Sequence, residues 1–273
     1  MSHTERVAPR KSLGQHWLVD RRILERIASA ADFEAADTVV EVGAGTGLLT
    51  ELLAERASRL LAVEVDSRLC ARLRRRFTEK GHVTVVEADV LAHTAEDLLR
   101  EGGGGLPYVV VGNLPFFIAT AVVRHFLQAV APPRWLLVTL QAEVAESMVA
   151  GPGRMTYLAV ETQMLARVRM LFYIPSRAFR PSPKVRSAVV RLDVLDAPEV
   201  EVDDRQAFLD LVRAGFAAPR KTVRNSLAIG LGVPPTEANA VLTTAGIDPA
   251  LRPAMLRLED WRQMYLAYRS NIG

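Results

Sequence analysis

Thr38-Val39-Val40-Glu41-Val42-Gly43-Ala44-Gly45-Thr46-Gly47-Leu48 decides how the chain is read. Thr38–Val42 is a β-branched run, the pattern of a short strand buried on both faces. The glycines that follow let the backbone turn sharply and come close to a ligand. Leu48–Arg56 then carries a helical pattern. A strand, a glycine turn and a helix in that order begin a βαβ unit.

The rest of the first two-thirds continues the alternation. Asp20 is placed to cap a helix whose inner face is Ile23, Leu24, Ile27 and Ala31. Leu60–Val65, Val83–Val86, Tyr108–Val111 and Trp135–Leu140 read as further strands, and Ser67–Lys80 as a basic helix. Strands alternating with helices predict a mostly parallel, doubly wound sheet. Val168–Ile174 and Ser187–Val194 have no long helix between them and predict an antiparallel edge. Gly102–Gly105 reads as a surface bulge. After Pro198 the texture is helical: Arg205–Ala217, Lys221–Ile229, Thr236–Ala245 and Leu258–Arg269, punctuated by prolines. The expected organisation is an α/β Rossmann-like domain over 1–197 and a small helical domain over 198–273.

The chain has 273 residues, about 1.8 domains at the usual size. Apolar residues make up 49% and charged residues 24%, which excludes a disordered chain. The single cysteine, Cys70, excludes a disulfide scaffold, and no Cys/His spacing suggests a metal site. No stretch approaches a membrane span, and the first ten residues lack the apolar run of a secretory signal. The cytoplasm is the expected compartment. Net charge is +3 and the pI about 9.2. From Glu161 to Asp193 no acid intervenes, while Arg167, Arg169, Arg177, Arg180, Lys184, Arg186 and Arg191 are interleaved with Phe172, Tyr173 and Phe179. A second acid-free stretch, Leu211–Thr236, holds Arg213, Arg220, Lys221 and Arg224. Either stretch alone reads as a solvated face. Together they favour a polyanion such as nucleic acid.

The dinucleotide fingerprint wants a third glycine at position 48, where this chain has leucine. Glu41 flanks the turn. A carboxylate is unfavourable beside a diphosphate but suits S-adenosylmethionine, which carries an ammonium and a sulfonium. Glu64 ends the second strand and is placed to accept from ribose hydroxyls, and Asp89 follows the third, near an adenine amine. Each acid alone reads as a cap or loop residue. Three at successive strand ends converge on one crevice. Past the fourth strand stands Asn113-Leu114-Pro115-Phe116. Asn and Pro favour turns, but the same types serve transfer to an exocyclic amine. Such an amine is a poor nucleophile, because its lone pair is delocalised into the ring. The Asn113 oxygen and the Leu114 carbonyl can each accept one N–H and turn the nitrogen toward sp3. Pro115 fixes the backbone, and Phe116 can stack on the base.

These motifs resemble the ribosomal RNA adenine dimethyltransferase family over nearly the whole chain. Lys11–Leu18, Glu41–Thr50, Glu64–Asp66, Ala88–Leu91, Asn113–Phe116, Gln141–Glu146 and Phe179–Val185 follow in family order. Arg220–Thr222, Asn225–Leu227 and Arg252–Leu256 match its small-subunit branch. The resemblance implies methyl transfer from S-adenosylmethionine to N6 of two adjacent adenosines in the 3′-terminal hairpin of small-subunit rRNA, with a role in small-subunit assembly. It implies cofactor contacts from His16, Leu18, Gly43, Gly45, Glu64, Asp89 and Asn113, catalysis by residues 113–116, and stacking of the target base by Phe116 and Phe179. RNA contacts are expected from Arg177, Arg180, Lys184, Arg186, Arg220, Lys221 and Arg224. The expected partner is small-subunit rRNA or an immature 30S subunit, and the expected state a monomer. His16 stands where the family usually has Asn, and Phe116 where it has Tyr. The alternatives are a large-subunit rRNA adenine methyltransferase, a nucleic-acid-binding assembly or transcription factor, and a nicotinamide dehydrogenase. Leu48 and the aromatic basic stretch disfavour the last.

Overall fold

The computed structural model describes Arg10 and residues 14–272, with backbone alone for Asn271 and Ile272. It divides into two compact units. The first takes in the chain up to Ala145 together with Arg169–Val194.

The strands β2 (Thr38–Val42), β3 (Arg59–Glu64), β4 (Val83–Glu87), β5 (Tyr108–Asn113), β6 (Trp135–Gln141), β9 (Ser187–Val194) and β7 (Ala166–Ile174) form one sheet, ordered β4-β3-β2-β5-β6-β9-β7, all of it in this unit but for the first three residues of β7. The pairs β2–β3, β3–β4, β2–β5 and β5–β6 are parallel, and β9 runs antiparallel to β6. All five residues of β2 are buried, as its β-branched run predicts. On one face α1 (Arg21–Ala30) and α2 (Leu48–Ala54) supply Leu24, Ile27, Leu49, Leu52 and Leu53 to a core with Val39, Val109, Val111, Leu137 and Val189. Elsewhere Leu73 of α3 (Ser67–Arg76) and the adjoining Phe77 pack on Ala62. Asp20 caps α1 as its position predicts, accepting from the N–H groups of Arg22 and Ile23.

The chain builds β2, β3 and β4 outward, then returns to place β5 against the other side of β2. Connections therefore diverge between β2 and β5, which opens a crevice at their carboxyl ends. Gly112 of β5 lies opposite Val42. A Cβ there would sit 2.7 Å from the Val42 carbonyl oxygen, so glycine is required for the two strand ends to approach.

Gly102–Gly105 reaches the surface at Gly103 and Gly105, as expected, but is packed at the other two positions. Gly102 is buried at the end of α4 (Ala95–Glu101), and a Cβ on it would lie 2.4 Å from Leu61. The Gly105 N–H donates to Thr38 Oγ1 at 3.1 Å. Gly102 and Gly104 are pressed on Leu61 of β3 and, for Gly104, on Thr38 of β2, where a side chain would not fit.

The second unit holds Glu146–Val168 and everything from Leu195 onward. A break at 197/198 was expected, so residues 146–168 are regrouped. The reason is local bonding. The N–H groups of Gly153 and Met155 both donate to the Ala254 carbonyl, at 2.7 and 3.1 Å. Tyr157, which opens α7 (Tyr157–Gln163), accepts at its hydroxyl from Arg213 of α8 (Arg205–Gly215) at 3.0 Å. Trp261 of α11 (Leu258–Ile272) is fully buried and stacks on Phe216 with centroids 5.0 Å apart. Gly230 of α9 (Val223–Leu231) rests on the α8 backbone, and a Cβ there would lie 2.2 Å from the Ala214 carbonyl oxygen. α10 (Pro235–Thr244) completes the unit.

Gly230→Ala must push α8 and α9 apart, which costs roughly 1–3 kcal/mol. It lowers the melting temperature, while Gly151→Ala, whose Cβ would point into open space, leaves it unchanged. Thermal denaturation of the two variants beside the parent measures this.

Candidate active site

The crevice between β2 and β5 continues into a cleft open to solvent. Its walls come from the turn after β2 (Gly43, Gly45), the ends of β3 and β4 (Glu64, Val65, Asp89, Val90), the turn after β5 (Asn113–Phe116) and the segment Gly14–Trp17. His16, Gly43, Gly45, Glu64, Asp89, Asn113, Leu114, Pro115 and Phe116 are thus brought together as the sequence predicts.

Glu64 organises the floor. Its Oε2 accepts from Gly45 N–H at 2.8 Å, and its Oε1 from Val65 and Asp66 N–H at 3.0 Å each. Gly43, Gly45 and Gly47 have φ of 74°, 56° and 79°, conformations that only glycine holds at little cost. Burial raises the Glu64 carboxyl, and the N–H groups of Asp66, Gly45 and Val65 pull it back. Three of a carboxylate's roughly four acceptor positions are therefore taken. The remaining one is on Oε2. Asp89 is exposed at the cleft, and its Oδ1 accepts from Leu91 N–H at 3.0 Å.

Asn113 ends β5, and its Nδ2 donates to the His16 carbonyl at 3.1 Å. That bond fixes which way the amide faces and leaves Oδ1 as the acceptor. The His16 ring stacks on Phe116, centroids 5.7 Å apart and planes 22° from parallel, and its Nδ1 lies 2.8 Å from the Pro181 carbonyl oxygen. His16 is held here because β1 (Trp17–Leu18) pairs antiparallel with β8 (Phe179–Arg180), Trp17 opposite Arg180 and Leu18 opposite Phe179. Trp17 is a wall residue that the sequence reading missed. A Cβ on Gly45 would lie 3.4 Å from its Cδ1. The one signal was its place between His16 and Leu18. Lys11, Ser12 and Leu13, in the same predicted motif, lie outside the described residues.

Three expectations are corrected. Leu18 is 4% exposed and belongs to the core, because the β1–β8 pairing turns it inward. Phe179 is fully buried in the same core and offers no face to a base. Glu41 does not line the cleft. It is 2% exposed on β2, alongside Thr50 of α2. Burial pushes its carboxyl up to about 8. Thr50 offsets part of this, and the nearby Glu64 adds to it. Neither Glu41 Oε2 nor Thr50 Oγ1 completes a hydrogen bond of ordinary geometry. Glu41 is therefore mostly neutral at neutral pH and supplies no charge to a ligand.

Arg177, Arg180, Lys184 and Arg186 are exposed on the first unit. Arg186 lies over the Tyr173 ring at 4.6 Å, and Arg180 donates to the Arg177 and Phe179 carbonyls. Arg220, Lys221 and Arg224 are exposed on the second. Among the described residues no His, Cys, Asp and Glu group could hold a metal ion, and no helix is long and apolar enough to cross a membrane.

A doubly wound sheet with an antiparallel β9, a glycine turn at its switch point, an acid on that turn and Asn-Leu-Pro-Phe across from it define an S-adenosylmethionine-dependent methyltransferase. The model of the ribosomal RNA adenine dimethylase family matches residues 7–269, and the chain belongs to that family. It is 39% identical over 262 residues to a ribosomal RNA small subunit methyltransferase A of Dehalococcoides mccartyi, covering 96% of this chain and 89% of the relative. It is 36% identical over 258 residues to the protein of that name in Bacillus cereus, covering 92% and 88%. Among solved structures it is similar to the 23S rRNA methyltransferase ErmE, with TM-score 0.71 and 29% identity over 92% of this chain and 98% of that one. A dimethyladenosine transferase from Plasmodium falciparum shares the fold, with TM-score 0.79 and 22% identity over 93% and 98%.

The Glu41 carboxyl gives a pH signature. Its folded value, about 8, lies above its ordinary 4.5. Between those values the unfolded chain loses a proton that the fold retains. Stability from this group is thus full below about 4.5 and falls as pH rises toward 8, by up to about 1.4 kcal/mol per unit. Glu41→Gln, neutral at every pH, raises the melting temperature more at pH 8 than at pH 5. Calorimetry at both values checks the sign.

Proposed function

We propose that this chain transfers methyl groups from S-adenosylmethionine to N6 of two adjacent adenosines in the 3′-terminal hairpin of 16S rRNA, acting as a cytoplasmic monomer on small-subunit rRNA or an immature 30S subunit. The observation that carries the reading is the Asn113 amide, locked by the His16 carbonyl with its oxygen left to accept. The relatives' small-subunit name supports the choice of subunit.

The cleft suits the cofactor on its own chemistry. Glu64 Oε2 is a buried acceptor within reach of a ribose hydroxyl, and the backbone at Gly43 and Gly45 is free of side chains. Asp89 is placed for the adenine amine, and Val65 and Val90 give apolar walls. When bound, the cofactor supplies an electrophilic methyl on a sulfonium. Leu18 and Glu41 are not part of this set.

This chain's residues act on the nucleophile. Phe116 stacks on an extruded adenine, on the side opposite or in place of its contact with His16. Asn113 Oδ1 and the Leu114 carbonyl accept the two N–H bonds of the amine. Accepting both draws the nitrogen toward sp3 and aims its lone pair. The nitrogen turns acidic once methylated and releases its proton to solvent, so no side-chain base is needed. Arg177, Lys184, Arg186, Arg220, Lys221 and Arg224 contact phosphates. Arg180 is partly committed to its own backbone.

Asn113 works mostly in the transition state, so its loss lowers turnover by about 10²–10³. Asn113→Ala nearly abolishes methylation of immature small subunits with RNA affinity little changed. Phe116→Ala slows turnover and loosens RNA, and Phe116→Tyr keeps most activity. Single-turnover methylation, RNA affinity and melting temperature, measured on all three, test this. A wild-type rate in Asn113→Ala defeats the reading, and methylation of large rather than small subunits moves it to the other ribosomal substrate.

The phosphate contacts carry their own signature. Log affinity for rRNA falls by about 0.7–0.9 per contact with log salt. Reversing Arg177, Lys184 and Arg186 together flattens that slope and leaves cofactor affinity unchanged. An unaltered slope in a salt titration shows these residues to be only a solvated face.

A further inference from the structure

The Asn-Leu-Pro-Phe turn is followed at once by a second aromatic that the reading above leaves without a task. Phe117 is 65% exposed, while its neighbours Phe116 and Ile118 both line the cleft. An exposed ring on a loop is ordinarily free to turn. This one is braced. Gly14, itself a cleft residue, lies against the Cδ1–Cε1 edge of the ring. A Cβ on Gly14 would stand 2.9 and 3.0 Å from those two atoms, and Gly14 holds φ of 57°. The φ favours glycine, and without a side chain the main chain there approaches one edge of the ring closely. The result is an aromatic ring held along one edge and otherwise open to water. It stands at the mouth of the cleft, four residues from Asn113.

An RNA strand that delivers an extruded adenine leaves the neighbouring nucleotide with a bare π-face. An aromatic side chain can replace the lost stack, whatever the base, because every base has such a face. Phe117 carries no charge and no hydrogen-bonding group, so it reads neither phosphate nor base edge. We propose that Phe117 is a substrate-contacting residue that stacks on the nucleotide adjoining the target adenosine. The inference rests on the role given above to Asn113. Phe116 and Phe117 then divide the labour of one turn. The first meets the reacting base inside the cleft, and the second holds the strand at its rim. The two adenosines are adjacent, so the ring that steadies one while its neighbour reacts helps set which stretch of RNA is accepted.

The test uses small subunits whose 3′-terminal hairpin is a ligated synthetic RNA. The nucleotide on either side of one target adenosine is intact or abasic. Parent, Phe117→Ala, Phe117→Leu, Phe117→Trp and Asn113→Ala are compared by kcat/KM and by S-adenosylmethionine affinity. Loss of one base stack, about 1–3 kcal/mol, corresponds to roughly 5–160-fold. Phe117→Ala lowers kcat/KM by that factor, mainly through KM. Phe117→Leu behaves like alanine, since it keeps apolar bulk against Gly14 but has no flat face. Phe117→Trp retains activity. At one of the two neighbouring positions the abasic RNA costs the parent the same factor and costs Phe117→Ala almost nothing. The proposal is overturned if the penalties multiply independently at both positions. It is overturned if Phe117→Leu restores the parent rate, or if cofactor affinity falls with the ring, since either makes Phe117 a packing residue for the Gly14 segment. Asn113→Ala separates the two readings. Active Asn113→Ala removes the turn's proposed role itself, while inactive Asn113→Ala with independent penalties removes only the role of Phe117.

Discussion

A single carboxylate holds the cleft open. Glu64 ends β3 and takes one N–H from the glycine turn after β2 and two from the backbone that leads into α3. Backbone donors left unpaired in a buried position cost about as much as lost hydrogen bonds. Glu64 satisfies three at once and ties two adjacent strand ends into one floor. Its own burial opposes ionisation and holds the carboxyl above its ordinary range, and the same three donors offset part of that. The acid is therefore a structural part before it is a binding part.

The second carboxyl nearby follows from this. Two ionised acids this close under the same turn would repel in a medium that screens poorly. Burial holds Glu41 as the neutral acid, up to about 8, which removes that repulsion. Its neutral state lets two carboxyls lie close together on adjoining strands. The Asp66 carboxyl shows the opposite case. The Arg68 guanidinium beside it, at 2.7 Å, holds it below the usual range.

Strands of the sheet were legible because burial on both faces leaves β-branched runs, as in Thr38–Val42 and Ser187–Val194, whose limits agree with the sequence pattern. The cleft was legible because strand ends at a switch point converge by topology alone. What could not be read depends on which way a side chain turns. Leu18 and Phe179 are apolar residues in motifs of polar purpose, and only the two-residue pairing of β1 with β8 shows that both face the core. A two-residue strand has no period to detect. Glu41 shares a strand with three core valines and a buried threonine, and nothing in its type says that it is buried among them. Gly102–Gly105 has the composition of a loose loop, yet Gly102 and Gly104 within it are tight contacts. Residues 146–168 follow β6 in sequence but join the helical unit through bonds to Ala254, a partner roughly a hundred residues away.

The β1–β8 pairing also sets an order of events during synthesis. His16, which steadies Asn113 and stacks on Phe116, is itself held by the Pro181 carbonyl, 165 residues further along the chain. Contacts of such sequence separation close late, after the loop between them has been made. As the chain leaves the ribosome, β2 to β6 and their helices can pack while the wall formed by His16 still waits for its support. The parallel strands β2 to β6 therefore precede in the chain the residue that supports this wall of the cleft, and β9, which completes the sheet beside β6, follows it by only a few residues.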